Sequence, residues 1–233
     1  MIDIVLKIEQ TTRYPGIIEL EMLALEIHRE AGFEVPRYWP CYFKGMPAIA
    51  IERFDRDHNN TPLCSETLYS ILASGIRLNN HYDYTYDLIA RAIDLSPVEF
   101  ISDTIEAKKY LFKRLLMAML TGNGDLHLEN LSVTCCDGVK AFSKIYDPAP
   151  MRAYALHDML SVMPFGEYGE MPDSHEETIT LKDAVMRYAK SCGLTKTETT
   201  DLIQQLILKT QDFSARVSEL KTVPDENKTR LIK

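Results

Sequence analysis

The chain opens with a strict alternation. In "IDIVLKI", Ile2, Ile4, Leu6 and Ile8 fall on one side and Asp3, Val5 and Lys7 on the other, the period of two that a strand presents. The period then changes. "PGIIELEMLALEIHREAG" spaces Ile18, Met22, Leu25 and Ile27 for a helix and puts Gly32 where a helix stops. Two short runs, "RYWPCYF" and "PAIAIERF", flank "KGMP", whose Gly45 and Pro47 suit a turn between strands. Residues 1–53 therefore predict strand, helix, strand, strand.

From about residue 65 the helix period takes over. "SETLYSILASGIRLN", "YTYDLIARAIDL" and "SDTIEAKKYLFKRLLMAML" are helix candidates, and the third, with Ile105, Phe112, Leu115, Leu116 and Met119 at helical spacing, is the expected central helix. "LSVTC" and "KAFSKIY" then flank "CDG" as a small hairpin. The last third is helical again: "TLKDAVMRYAKSCG", then one long segment, "TKTETTDLIQQLILKTQDFSARVSEL", opened by the capping-box pair Thr195 and Glu198. The pattern predicts an α+β protein. Residues 1–55 form a small β-containing part, residues 56–233 a mainly helical one, with a hinge around 52–60.

Composition narrows the function classes. With 45% hydrophobic residues among 233, the chain can bury a sizeable core. A net charge of −8, spread along the sequence, argues against nucleic acid as a direct ligand, because phosphate backbones need a basic surface. The cysteines (Cys41, Cys64, Cys135, Cys136, Cys192) show neither CxxC spacing nor a paired framework, which suggests reduced thiols rather than zinc or disulfides. No run approaches the roughly 18 apolar residues of a membrane span, and Met1 leads straight into the first strand, so a cytoplasmic location is expected.

One stretch does not fit a plain core. "LTGNGDLHLENLSV", residues 120–133, sets Asp125, His127 and Asn130 between apolar flanks, and buried polar groups cost free energy unless something satisfies them. Asn130 lies five residues after Asp125; Asp147 lies 22 after it, beyond the hairpin, in "IYDPAP". Phosphoryl transfer of the protein-kinase class uses such a set. An Asp accepts the hydroxyl proton, and an Asn and a second Asp hold Mg²⁺ against the nucleotide phosphates. Oxygen ligands suit that hard cation. "NGD" taken alone is turn chemistry, and the carboxylates alone do not separate protein kinases from small-molecule kinases.

"GNGDLHLENLSV", followed by "YDPAP" and preceded by "AIAIERFDRD", resembles the HipA-type serine/threonine kinase toxins of bacterial toxin–antitoxin systems. The resemblance extends to "IVLKIE" and "YPGIIELEMLALEIHREAGFEVP", and covers roughly residues 2–165. It implies a two-lobed, protein-kinase-like fold with a truncated N-terminal lobe, and ATP and Mg²⁺ as cofactors. Residue by residue, it implies Asp125 as base and Asn130 and Asp147 as metal ligands, with Tyr146 beside them on the nucleotide side. His127 would reach the transferred phosphate as a cation or as a hydrogen-bonding imidazole. Lys7 would pair the α/β-phosphates with Glu21 holding it, and Glu52, Arg53 and Phe54 would form the hinge that meets the adenine. Implied partners are a protein substrate, such as an aminoacyl-tRNA synthetase, and a helix-turn-helix antitoxin.

Two departures stand out. Glu129 replaces the lysine the family often carries before the Asn, and only six residues precede Lys7, where the family places its phosphate-covering loop. The expectation is a kinase core complemented by an N-terminal segment or subunit. Two other readings stay open: an inactive or split kinase fragment serving as a protein-binding module, and a small-molecule phosphotransferase, against which "ERFDRD" and "YDPAP" speak.

Overall fold

The computed structural model describes residues 2–75, 77–169 and 179–232. β1 (Ile4–Ile8) is followed by α1 (Ile17–Glu30), β2 (Tyr38–Phe43) and β3 (Met46–Glu52), the predicted order. The three strands form an antiparallel sheet in the order β1-β3-β2, with Lys7 paired opposite Ile49. α1 stops as foreseen at Gly32. That residue has φ +86°, and the Phe33 N–H reaches back to the His28 carbonyl at 3.0 Å while the Gly32 N–H reaches Arg29. The apolar side of β1 does not enter the core: Ile4 is 48% and Leu6 39% exposed, while Lys7 turns toward α1.

The helical part departs from expectation in four places. Of "SETLYSILASGIRLN", residues 65–67 belong to a strand, β4 (Cys64–Thr67), and only α2 (Leu68–Ala73) is helical; Ile76 lies outside the described residues. Pairing with the hairpin decides this, because Ser65, Glu66 and Thr67 find ladder partners in β5 (Ser132–Cys136), with β6 (Val139–Phe142) beyond it. The Thr67 side chain then caps α2 by accepting from the Ser70 N–H. The hairpin itself forms as predicted, turning on Asp137 and Gly138, both at positive φ.

α3 (Tyr86–Leu95) and α4 (Thr104–Thr121) match their segments, and α4 is central, with Leu111, Phe112, Leu115, Leu116, Met117 and Ala118 buried. Ile105, counted on its core face, is 74% exposed instead, in the first turn of the helix. After α5 (Leu181–Ser191), the long last segment breaks into α6 (Lys196–Thr210) and α7 (Phe213–Glu219). At the break the Thr210 hydroxyl bonds back to the Leu206 carbonyl, and the turn sends Phe213 and Val217 inward. α8 (Asp225–Ile232) was not foreseen; it is polar overall and has no fully buried residue. The capping box at Thr195 and Glu198 is present.

One cluster of buried side chains joins Ile49 and Ile51 of β3, Leu25 and Ile27 of α1, Leu115 of α4 and Leu206 of α6. α1 thus packs against the helical part. Within the described residues no helix is long and apolar enough to cross a membrane.

Candidate active site

The loop after α4 accounts for the polar residues set between apolar flanks at 120–133. Gly122 ends the helix in the left-handed conformation, φ +73°. Gly124 then passes so close to the next segment that an added Cβ would sit 2.1 Å from the Met159 carbonyl oxygen. Beyond it the residues alternate. Leu126 and Leu128 are buried, and the Leu126 carbonyl accepts from the Tyr86 hydroxyl at 2.7 Å. Asp125 and His127, the odd positions between them, line a cavity of about 530 Å³. The apolar residues anchor the loop and the polar ones face an opening.

Lys7, Glu21, Asn130 and Asp147 line the same cavity, so six of the ten candidate residues converge. The Lys7 ammonium lies 2.6 Å from Glu21 Oε1 and also contacts Asp147. Burial works to lower the Lys7 pKa, but the two carboxylates outweigh it and hold it above its ordinary value. Burial in turn raises Glu21, against the pull of Lys7. Asp147 sits at φ +48°, in the left-handed region that few side chains enter and Asp enters more readily than most. Its carbonyl accepts from the Asn123 amide at 3.3 Å.

Asp125 is half-buried, and burial chiefly raises its carboxyl above the usual range, with Asp147 adding to it and His157, Tyr82 and His81 opposing. The Asn130 amide donates to the Asp125 carbonyl at 3.1 Å, which leaves its own Oδ1 for other company. His127 Nδ1 accepts from the Glu129 N–H at 3.2 Å. Burial, and then the neighbouring His81, lower the His127 pKa to about 4. A ring so shifted is uncharged near neutral pH.

The other four candidates do not line this cavity. Glu52 is engaged by Arg37 through two hydrogen bonds of 2.8 and 2.6 Å, and Arg53 by Asp55. Phe54 stacks on Tyr146, ring centroids 5.3 Å apart. The Tyr146 hydroxyl donates to the Glu129 carbonyl and accepts from Ser132, both at 2.6 Å, which ties the two ends of the hairpin together and sets Asn130 and Asp147 on one wall. Two participants escaped the sequence reading. Asn123 is 1% exposed; its Oδ1 accepts from the Asp125 N–H while its amide holds Asp147, so it bridges the two acids. Its signal was present, as the Asn between two glycines, but reads equally as a turn. The His81 ring lies tilted against that of His127, centroids 4.2 Å apart, and carried no sequence signal.

This arrangement is a kinase-like fold. HipA of Shewanella oneidensis MR-1, solved with HipB and its operator DNA, superposes with a TM-score of 0.75 at 15% identity, covering 98% of this chain and 57% of that one. The Helicobacter pylori proinflammatory kinase CtkA does so with a TM-score of 0.63 at 14% identity, covering 97% and 82%. The sequence gives the closer placement: the profile described as HipA-like C-terminal domain matches residues 2–213, and the chain belongs to that family. A Haemophilus influenzae protein named "Putative kinase" is 30% identical over 165 residues, and "Putative kinase Y4dM" of Sinorhizobium fredii 28% identical over 168. The chain spans less than half the length of these relatives, 44% and 36%.

Proposed function

We propose that this chain is the core of a HipA-like serine/threonine protein kinase, transferring the γ-phosphate of ATP to a protein hydroxyl as the toxin of a toxin–antitoxin pair. The supporting observation is the convergence of Lys7, Glu21, Asp125, Asn130 and Asp147 on one cavity wide enough for a nucleotide. The donor set fits Mg²⁺: the amide oxygen of Asn130 and the carboxylate of Asp147 are hard oxygen ligands from the two ends of one hairpin. When bound, that ion would offset the charge of the phosphates.

The remaining chemistry belongs to the chain. The Lys7 ammonium, held by Glu21, would meet the phosphates in place of its present contact with Asp147. Asp125, made more basic by burial, would take the proton of the acceptor hydroxyl. His127, neutral with its proton on Nε2, would donate a hydrogen bond rather than a charge. Glu52, Arg53, Phe54 and Tyr146 would border the adenine end.

A protein partner fits the sheet. β1 is an edge strand, and its exposed Ile4, Leu6 and Ile8 offer both free backbone groups and an apolar face to an added strand. A complementing N-terminal segment, or a helix-turn-helix antitoxin elsewhere on the surface, is the proposed company.

The test is a pair of substitutions read by calorimetry and by transfer of labelled phosphate, with the complementing segment supplied. Asp125→Asn is expected to retain Mg²⁺–ATP binding while losing about 10²–10⁴-fold in turnover. Asp147→Asn is expected to weaken the binding itself. Equal loss of nucleotide affinity in both variants would overturn the assignment.

A further inference from the structure

The cavity is lined by four carboxylates (Glu21, Asp125, Glu129, Asp147) against one ammonium, Lys7. Two imidazoles lie beside Glu129: that of His127, which lines the cavity, and that of His81. His81, His127 and Glu129 bring one ligand atom each within 4.8 Å of one another. The His81 Nδ1 to Glu129 Oε2 separation is 3.2 Å, and the His81 and His127 rings lie 4.2 Å apart. The cysteine pattern gave no zinc site, and this one involves no cysteine; two of its ligands come from the 127–130 loop and the third from 46 residues upstream.

We propose that His81, His127 and Glu129 form a site for a borderline transition-metal ion, Zn²⁺ or Co²⁺, distinct from the Asn130–Asp147 oxygen pair. Two imidazoles and a carboxylate are a ligand set that such ions prefer and Mg²⁺ does not. Tetrahedral bonds of about 2.0–2.1 Å put ligand atoms about 3.4 Å apart, close to the present His81–Glu129 spacing, so only His127 has to approach, by up to about 1.4 Å. The ion would take the place of the contact between His81 Nδ1 and Glu129 Oε2, with the His81 ring proton carried on Nε2 so that the imidazole stays neutral. On His127 it would take the Nδ1 lone pair, now met only by the 3.2 Å contact from the Glu129 N–H. The fourth position would be left to water or to an anionic ligand.

The two backbone segments are already fixed to each other. The Leu128 N–H bonds the His81 carbonyl at 3.3 Å, and the Tyr82 N–H bonds Asn80 Oδ1 at 2.8 Å. His81 is therefore held in place before any ion arrives. With two neutral imidazoles and one carboxylate, a divalent ion leaves one net positive charge beside Asp125, where Glu129 alone presents a negative one. That wall would then attract an anion instead of repelling it.

The experiment uses the tag-free chain after chelator treatment, titrated with Co²⁺ by visible absorption and with Zn²⁺ by calorimetry in excess Mg²⁺. The expected result is one ion per chain, with a d–d band and without a thiolate charge-transfer band. His81→Ala and Glu129→Gln should each lower the affinity at least about 100-fold, since even outer-shell partners are worth 10–100-fold. Thermal melting of the metal-free variants checks that both still fold. Absence of binding to the wild-type chain, unchanged affinity in His81→Ala, or a thiolate band would each overturn the proposal.

Discussion

His28 sits in the last turn of α1, fully buried, and among the described residues it is the one polar link between the helix that carries Glu21 and the helix that leads to Asp125. Its Nδ1 donates to the Ala24 carbonyl at 2.7 Å, and its Nε2 accepts from the Arg114 guanidinium of α4 at 2.8 Å. Arg114 is itself 1% exposed. Protonating His28 would place two cations in contact without water, and burial first, Arg114 second, lower its pKa from 6.5 to about 3. Because the folded value lies below the unfolded one, the unfolded chain takes the proton first. The stability contributed by neutral His28 is complete above about pH 6.5 and drains as the pH falls toward about 3. Between about pH 7.5 and pH 5 this group should cost about 2 kcal/mol of folding stability, at 1.36 kcal/mol per unit. His28→Gln removes the titration. The variant should be less stable at neutral pH by about 1–3 kcal/mol, because buried partners lose geometry, yet it should lose about 2 kcal/mol less than the wild type on acidification. Urea unfolding at the two pH values measures both quantities. Parallel losses in wild type and variant would show that His28 is not the group that senses acid.

Two further substitutions separate the site from the scaffold. Gly124→Ala should displace the loop from Met159, since backbone meets backbone there, and cost about 1–3 kcal/mol; a normal melting temperature together with normal phosphate transfer would refute the packing argument. Thr195→Ala removes the capping box of α6 and should cost about 1 kcal/mol, a fall of about 2–4 °C in Tm by calorimetry, with nucleotide binding unchanged.

The sequence alone determined whatever depends on local period and turn chemistry. The first strand, α1 with its Gly32 stop, the β2–β3 pair, the Asp137-Gly138 hairpin and the Thr195 cap are each written within a few neighbouring residues. The polar residues of 120–133 were legible for the same reason: an acid, an imidazole and an amide between buried leucines need a common purpose. Tertiary structure decided the rest. Ser65–Thr67 became strand only because β5 offered a ladder to a segment with no strong preference of its own. The long last helix broke because Phe213 and Val217 gain more by turning inward than the helix gains by continuing. β1 turned its lysine, not its isoleucines, toward α1, and no period of two states which side will face a partner. His81 reached His127, and Asn123 came to bridge Asp125 and Asp147, through contacts between segments distant in sequence or hidden in an ordinary turn. A local pattern fixes which face a residue is on; only packing fixes what that face meets.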